Sequence, residues 1–93
     1  MTIIGNWAFA ECGGLTSVTI GNSVTSIGQS AFHRCTNISS ITCNATTAPT
    51  IYNQTFEVKR NGILYVPVGS TGYNVWMDTD GYYLGYWNWT KVE

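Results

Sequence analysis

Apolar residues recur along the first half of the chain at a spacing of 23 positions. The stretch 4–26 is followed directly by a second copy, in which Ile, Gly, Ala, Phe and Cys return at matching positions. Near the ends of residues 15–20 and 38–43, apolar and hydroxyl side chains alternate with a period of two, which is typical of a half-buried strand. We therefore predict one such strand in each copy, with Val18 and Ile20 pointing inward.

Each copy also carries an Ala and a Phe in a short segment that precedes the strand. Residues 7–12 and 31–35 predict short helical turns. Asn6 and Ser30 are the expected N-caps, because their side-chain oxygens can accept hydrogen bonds from free backbone N–H groups. Turns this short are unstable alone and need packing against neighbouring coils.

The two phenylalanines occupy equivalent repeat positions, so we expect Phe9 to stack on Phe32 inside the molecule. Residues 21–23, Gly-Asn-Ser, predict a turn, since Gly and Asn tolerate the left-handed backbone conformation. Residues 24–27 then predict a second short strand on the other side of the coil. One coil is thus expected to contain two strands and a helical turn.

The repeat pattern weakens after Asn44, where residues 45–49 are small, polar and strand-breaking. Apolar residues return at Ile51 and Phe56 and then in the run 63–67, which predicts a third, degenerate coil ending in its own strand. Pro67 ends that strand, because proline cannot donate to a ladder.

Seven aromatic residues lie among the seventeen residues from Tyr73 to Trp89. Residues 74–78 predict a short helix, 78–81 a turn and 87–92 a closing extended segment. An aromatic block after the last coil is the expected cover for an exposed apolar end. We therefore predict repeat coils over residues 1–69 and a C-terminal cap over 70–93.

A period between 20 and 29 residues that contains Leu-x-x-Val-x-Ile is typical of a leucine-rich repeat solenoid. The predicted fold is an α/β solenoid, mostly β, with two regular 23-residue coils, one degenerate coil and the aromatic-rich cap. Residues 1–4 match 24–27, so the chain starts within a repeat and the first coil is expected to be uncapped. We expect a fragment of a longer protein that self-associates through its N-terminal coil.

The repeat Ile-Gly-x-x-Ala-Phe-x-x-Cys-x-x-Leu-x-Ser-Val-Thr-Ile, with Gly-Asn-Ser-Val-Thr-Ser-Ile-Gly after it, resembles the BspA-type leucine-rich repeat. The strand Leu64 to Gly69, then Tyr73 and the segment 89–93, is similar to the C-terminal end of proteins in that family, whereas residues 77–86 resemble an insertion. The resemblance implies a bacterial secreted or surface-attached protein used in adhesion to host proteins or other cells. It implies no catalytic residues and no particular ligand.

Composition excludes some functions. Charged residues are 10% of the chain and the net charge is -1, against about 25% charged residues in typical soluble domains. Without a basic run, nucleic-acid binding is not expected. No apolar stretch approaches the roughly 20 residues of a membrane span. Features of a signal peptide are also missing, so we expect any export signal on another part of the gene.

The outward strand positions form the first candidate site. Exposed hydroxyls on a rigid sheet can present an extended protein-binding surface, which is how repeat proteins use such faces. The alternative is that Ser and Thr merely suit an exposed strand. The predicted ligand face consists of Ser17, Thr19, Ser40, Thr42 and Tyr65.

The C-terminal aromatics form a second candidate site. Flat rings can stack on sugars, with Asn88 or Asp80 orienting hydroxyl groups, and exposed aromatic patches mark binding sites. The alternative is that the rings only close the solenoid. The predicted sugar-stacking residues are Tyr82, Tyr83, Tyr86 and Trp87, from a wider set that includes Tyr73, Trp76 and Trp89.

Metal, cofactor and catalytic sites are not predicted. His33 lacks partners at metal spacing, and residues 78–81 lack the later ligands of a calcium loop. Cys12 and Cys35 should lie one coil apart. We expect them to be free thiols, and a disulfide between them is the less favoured alternative. With neither a phosphate-binding loop nor a nucleophile elbow, we expect no enzyme activity and no cofactor.

The leading functional hypothesis is a non-catalytic interaction module, the terminal part of a bacterial surface or secreted protein with a protein partner. Carbohydrate binding through the aromatics is the alternative from another class. A purely structural cap, whose partner is the rest of its own chain, is the third.

Overall fold

The computed structural model describes residues 3–52, 54–79 and 83–93. Short strands dominate these residues, and their only helix is a 3₁₀ helix at Leu84–Trp87. The strands are β1 (Ile3–Ile4), β2 (Ser17–Ile20), β3 (Ser26–Ile27), β4 (Phe32–Cys35), β5 (Ser40–Cys43), β6 (Phe56–Val58), β7 (Ile63–Tyr65) and β8 (Thr90–Val92).

The strands stack coil upon coil in parallel. The largest sheet has the order β2-β5-β7-β8, and smaller sheets join β4 to β6 and β1 to β3. Ser17 lies beside Ser40, Ser40 beside Ile63, and Ile63 beside Thr90, so the 23-residue period becomes the register of the sheet. The chain is a mostly-β solenoid of about four turns, which confirms the predicted fold class.

The core lies inside the coils. Ile41 and Leu64 are fully buried beside each other on neighbouring strands, because alternate residues of a strand face the same side. Phe9 stacks on Phe32 with ring centroids 5.4 Å apart, as the repeat predicts. Phe32 stacks in turn on Phe56 at 5.6 Å, so one aromatic column runs through three coils.

The predicted helical turns are wrong. Residues 32–35 form strand β4, and 7–12 form a series of turns. Backbone groups here bond to the next coil instead of to their own helix: the Phe9 N–H donates to the Ala31 carbonyl, and the Phe32 N–H donates to that of Thr55. Asn6 does not cap a helix, because its Oδ1 accepts from the Gln29 N–H one coil later at 2.9 Å.

Left-handed backbone also occurs at unexpected positions. The equivalent residues Trp7, Ser30 and Gln54 have φ angles of 61°, 57° and 63°. The expected site, 21–23, turns without a positive φ, through a 3.3 Å hydrogen bond from the Val24 N–H to the Gly21 carbonyl. Ser30 is therefore a turn residue and not a helix cap.

The third coil is more regular than its sequence indicates. Thr50 bridges to Ser26 and Phe56 pairs with Phe32, each 24 positions apart, while Val58 pairs with Cys35 at the original 23. One extra residue thus enters the third coil before Thr50, and it is matched by one extra residue of β4 between Phe32 and Cys35, where the register of the β4–β6 pair shifts. The coil returns to register before β7.

The C-terminal segment covers the third coil and adds a strand to its sheet. The predicted helix at 74–78 is instead a pair of turns, in which Met77 and Asp78 donate to carbonyls three residues back. The extended segment appears as β8, paired with β7. Of the predicted turn at 78–81, Asp80 and Gly81 lie outside the described residues.

Three tryptophans fix this segment to the coil beneath it. The indole N–H groups of Trp76, Trp87 and Trp89 donate to backbone carbonyls of the third coil at 3.0, 3.1 and 2.6 Å. A further coil would offer backbone N–H groups at these places, so the indoles satisfy carbonyls that would otherwise be buried without partners. The acceptors are Pro49, Phe56 and Lys59.

Candidate functional site

The four-stranded sheet presents one row of outward side chains from each strand, set in two columns. Neighbouring strands of a sheet lie about 4.8 Å apart, so the columns are regular. We call this surface the sheet face; its members are Ser17, Ser40, Ile63 and Thr90 in one column and Thr19, Thr42, Tyr65 and Val92 in the other.

The structure brings all five residues of the predicted ligand face onto this surface. The sequence analysis missed three members, Ile63, Thr90 and Val92. Thr90 follows Ile63 by 27 positions, so a search for the 23-residue period does not find β8. The signal that was available for Ile63 is its 23-residue distance from Ser40.

The sheet face changes character from one end to the other. Its first two strands carry only hydroxyl side chains. Its last two carry apolar groups that remain open to solvent, with Ile63, Tyr65 and Val92 at 36%, 42% and 38% exposure. None of the eight side chains is charged. The face therefore offers an uncharged apolar patch bordered by hydrogen-bonding groups.

The backbone beneath the sheet face is well supported. The Ser39 N–H donates to the Thr16 carbonyl at 2.9 Å, and the Ile63 N–H donates to the Ser39 carbonyl at 3.1 Å. On the inner side, Ile41 and Leu64 are 0% exposed. A surface that is held by backbone hydrogen bonds between strands and by a packed core loses little conformational entropy on binding.

The two edges of the sheet differ. On one edge, β2 pairs only with β5 among the described residues, and its inward residue Val18 is half-buried. On the other edge, Lys91 of β8 pairs with Leu64 and so continues the inward column with a charge. A lysine on an edge strand opposes the addition of another strand. The β8 edge therefore carries a charge that the β2 edge lacks.

The predicted sugar-stacking aromatics separate into several groups. Tyr82 lies outside the described residues. Tyr83 and Trp87 are half-buried against the core, and Tyr86 is 38% exposed.

Three rings of the wider aromatic set are not available to a ligand, and the interpretation of these rings as sugar platforms is wrong. Tyr73 and Trp76 are 1% exposed and Trp89 is 5% exposed. These three rings are core.

A cavity of about 290 Å³ lies on another side of the coil, lined by His33, Gln54, Phe56, Glu57 and Trp87. His33 Nδ1 lies 3.3 Å from Glu57 Oε1, a pairing that coil stacking creates and sequence spacing hides. Across the part of the chain that the structure describes, no group of three or more His, Cys, Asp or Glu side chains is placed to hold a metal ion.

The cysteines are free thiols. Cys35 is fully buried, and its Sγ lies 2.9 Å from the Phe9 carbonyl, to which it donates. Burial raises the pKa of the Cys35 thiol, and this effect exceeds the lowering by its hydrogen bond to the Cys12 backbone. Such a thiol is a poor nucleophile, because the thiolate is the reactive form.

These features together define a leucine-rich repeat solenoid: parallel stacked strands, a repeat of about 23 residues and an aromatic column through the coils. The family model described as BspA type leucine rich repeat region (6 copies) matches residues 1–71. The chain belongs to this family. Its members are repeat proteins of protein–protein or surface interaction, typically associated with the bacterial surface, and their solenoid is typically a non-enzymatic scaffold.

No curated protein sequence matches the chain significantly, and neither does any solved structure. Within the described residues, no helix is long and apolar enough to cross a membrane.

Proposed function

We propose that the chain is a non-catalytic binding module whose sheet face contacts a protein partner outside a bacterial cell. The observation that carries the proposal is the apolar patch of Ile63, Tyr65 and Val92 on an otherwise hydroxyl-covered sheet. Family membership supports both the interaction role and the surface location.

Tyr65 is the expected anchor of this contact. Tyrosine is enriched among the residues that dominate interface energies, since it buries a large ring and keeps a hydroxyl for hydrogen bonding. The ring is 42% exposed and lies between Thr42 on one strand and Val92 on the other. A partner that covers Tyr65 also covers the hydroxyls beside it, so the polar border must find hydrogen bonds in the complex.

The size of the face limits the affinity. Four strands about 4.8 Å apart, each contributing three residues of about 3.3 Å, give a flat area of about 190 Å². A stable interface buries roughly 800 Å² per partner. We therefore expect dissociation constants of about 10 µM or weaker for this chain alone. Because the face is uncharged, the affinity should depend little on salt.

The test is a selection of random displayed peptides on the full chain, followed by NMR mapping of the best peptide on ¹⁵N-labelled protein. We expect the largest amide shifts in β2, β5, β7 and β8. Peptide binding should fall about tenfold or more in Thr42→Lys, which places a charge beside Tyr65. It should persist in Thr46→Lys, the matched change at an exposed threonine off the sheet.

Two outcomes would overturn the proposal. Amide shifts confined to residues off the sheet would assign binding to another surface. If no peptide binds the folded chain, a purely structural role is favoured, in which these residues only close their own solenoid.

A further inference from the structure

The cavity lined by His33, Gln54, Phe56, Glu57 and Trp87, here called the His33 cavity, is the strongest feature outside the sheet face. Its volume of about 290 Å³ is at the small end of the range for small-molecule sites, roughly 300–1,000 Å³. It combines one aromatic wall with polar groups from two other coils. The sheet face contributes none of its residues, so an inference about it is independent of the proposed function.

The aromatic wall is fixed in place. The Trp87 indole N–H donates to the Phe56 carbonyl at 3.1 Å, which ties the ring to the floor of the cavity. Tyr86 meets Trp87 edge-on, with centroids 4.9 Å apart. The guanidinium of Arg60 lies over both rings, 5.5 Å from their centroids, and so occupies one face of Trp87. A ring held by its neighbours offers a preformed flat surface, which lowers the entropic cost of binding.

The polar wall consists of a histidine–glutamate pair and an amide. His33 Nδ1 and Glu57 Oε1 are 3.3 Å apart, with the two side chains 27% and 35% exposed. Trp7 contacts the His33 ring edge-on at a centroid distance of 4.9 Å. Gln54 is exposed at the rim and supplies both a donor and an acceptor. Hydrogen-bonding groups thus converge opposite an apolar ring.

The charges around the His33 cavity disfavour an ionic ligand. An anion would meet the Glu57 carboxylate, and a cation stacked on the other face of Trp87 would be repelled by the nearby guanidinium of Arg60. A neutral ligand with one apolar face and several hydroxyls avoids both conflicts. A pyranose sugar has this form, because its axial C–H groups form a flat apolar face while its hydroxyls point outward.

We propose that the His33 cavity binds one neutral pyranose ring of a glycan, stacked on Trp87 and hydrogen-bonded by Gln54 and Glu57. The C-terminal aromatics alone do not make this site. Gln54 and Glu57 belong to the third coil and His33 belongs to the second. The C-terminal segment adds the remaining wall, the ring of Trp87.

The experiment is a titration of the full chain with the methyl pyranosides of glucose, galactose and mannose and with N-acetylglucosamine. Saturation-transfer NMR detects binding, and amide shifts locate it. At least one sugar should bind with a dissociation constant of about 1–10 mM, typical of a single ring with few hydrogen bonds. Glucosamine and glucuronate, charged relatives of glucose, should bind more weakly than the neutral sugar.

Matched variants assign the site. Gln54→Ala and Glu57→Gln should each weaken sugar binding by about fivefold, the value of one or two hydrogen bonds. Gln29→Ala, which removes an exposed glutamine elsewhere on the coil, should leave binding unchanged. Gln54 and Gln29 are both exposed, so the folded state should survive either change, and circular dichroism verifies this.

Three results would overturn the proposal: no binding of any of these sugars at about 50 mM, well above millimolar dissociation constants; tighter binding of a charged relative than of its neutral parent; or equal binding by Gln54→Ala and Gln29→Ala.

Discussion

Single polar side chains satisfy the backbone where coils are irregular or end. The Tyr73 hydroxyl donates to the Ala45 carbonyl at 2.6 Å, in a site where the ring is 1% exposed. Thr55, fully buried, accepts from the Tyr52 N–H at 2.9 Å through the same hydroxyl that faces the Gly28 carbonyl at 3.2 Å. Each group would cost about 1–3 kcal/mol if left unpaired.

Tyr73 should make the protein sensitive to alkali. Burial, and then the hydrogen bond and charge of Cys43, raise the pKa of Tyr73 well above its ordinary value of 10.0. Above pH 10 the unfolded chain therefore loses this proton while the native chain keeps it, so the native state binds more protons and the free energy of unfolding falls. The contribution of Tyr73 to the free energy of unfolding is fully present below pH 10 and is lost as the pH rises above 10.

The comparison is urea denaturation of the natural chain and Tyr73→Phe between pH 7 and 11. At pH 7 the variant should be about 1 kcal/mol less stable, because Ala45 loses its donor. Above pH 10 the natural chain should lose up to about 1.4 kcal/mol per pH unit more than the variant. The raised pKa of the Cys35 thiol affects both proteins and cancels. Parallel pH profiles would show that Tyr73 ionises as it does in the unfolded chain.

Sequence could not predict most of these single contacts. Thr55 follows Asn and Gln in a polar stretch, which indicates an exposed residue, yet the third coil folds over it. His33 and Glu57 are 24 positions apart, so their pairing needs the one-residue offset of the third coil. Nothing in local composition gives that offset.

At the scale of elements, the repeat period determines what could be predicted. The strands β2 and β5 and the Phe9–Phe32 stack follow from equivalent positions 23 residues apart. The 23-residue period does not show whether residues 7–12 and 31–35 form helical turns. Local propensity favours a helix there, but a coil one period away offers hydrogen-bond partners to the same N–H groups, and those partners prevail.

The aromatic column allows a test with the same side chain at two depths. Phe32 is fully buried between Phe9 and Phe56, whereas Phe9, among the described residues, stacks on Phe32 alone and is 36% exposed. We expect Phe32→Ala to lower the free energy of unfolding by about 3–5 kcal/mol. Phe9→Ala should lower it by about half as much or less, since less surface leaves the core.

Urea denaturation followed by circular dichroism measures both. If Phe32→Ala does not fold, Phe32→Leu should still cost about 1–2 kcal/mol and keeps the comparison possible. Equal costs at positions 9 and 32 would mean that the column does not continue through the coils as described.

The two outer strands of the four-stranded sheet differ in charge. Lys91 lies in the inward column of the sheet at the β8 edge, and Val18 holds the equivalent position at the β2 edge. Head-to-tail growth would pair β2 of one copy with β8 of another, and the charge of Lys91 opposes that pairing. Pairing of two β2 edges about a two-fold axis avoids this and closes the assembly. We therefore propose a dimer and not a filament.

Light scattering after size exclusion should show a mass that rises with concentration from 10.2 kDa toward twice that value. Val18→Lys places a lysine at the position equivalent to Lys91, so this variant should remain a monomer of 10.2 kDa. Thr46→Lys adds the same charge elsewhere and should still dimerise. A natural chain that stays monomeric at every concentration, or a dimeric Val18→Lys, would contradict pairing through β2.

We propose that the sheet face, and not another surface, contacts a protein partner. Tyr65 and Tyr86 provide the most direct test, because they are the same residue type at 42% and 38% exposure, one on the sheet face and the other beside the His33 cavity. The measurement is the affinity of the selected peptide for Tyr65→Ala and Tyr86→Ala by calorimetry. We expect the affinity to fall about tenfold or more in Tyr65→Ala and to change within about twofold in Tyr86→Ala. Unchanged affinity in Tyr65→Ala, or a larger loss in Tyr86→Ala, would contradict it.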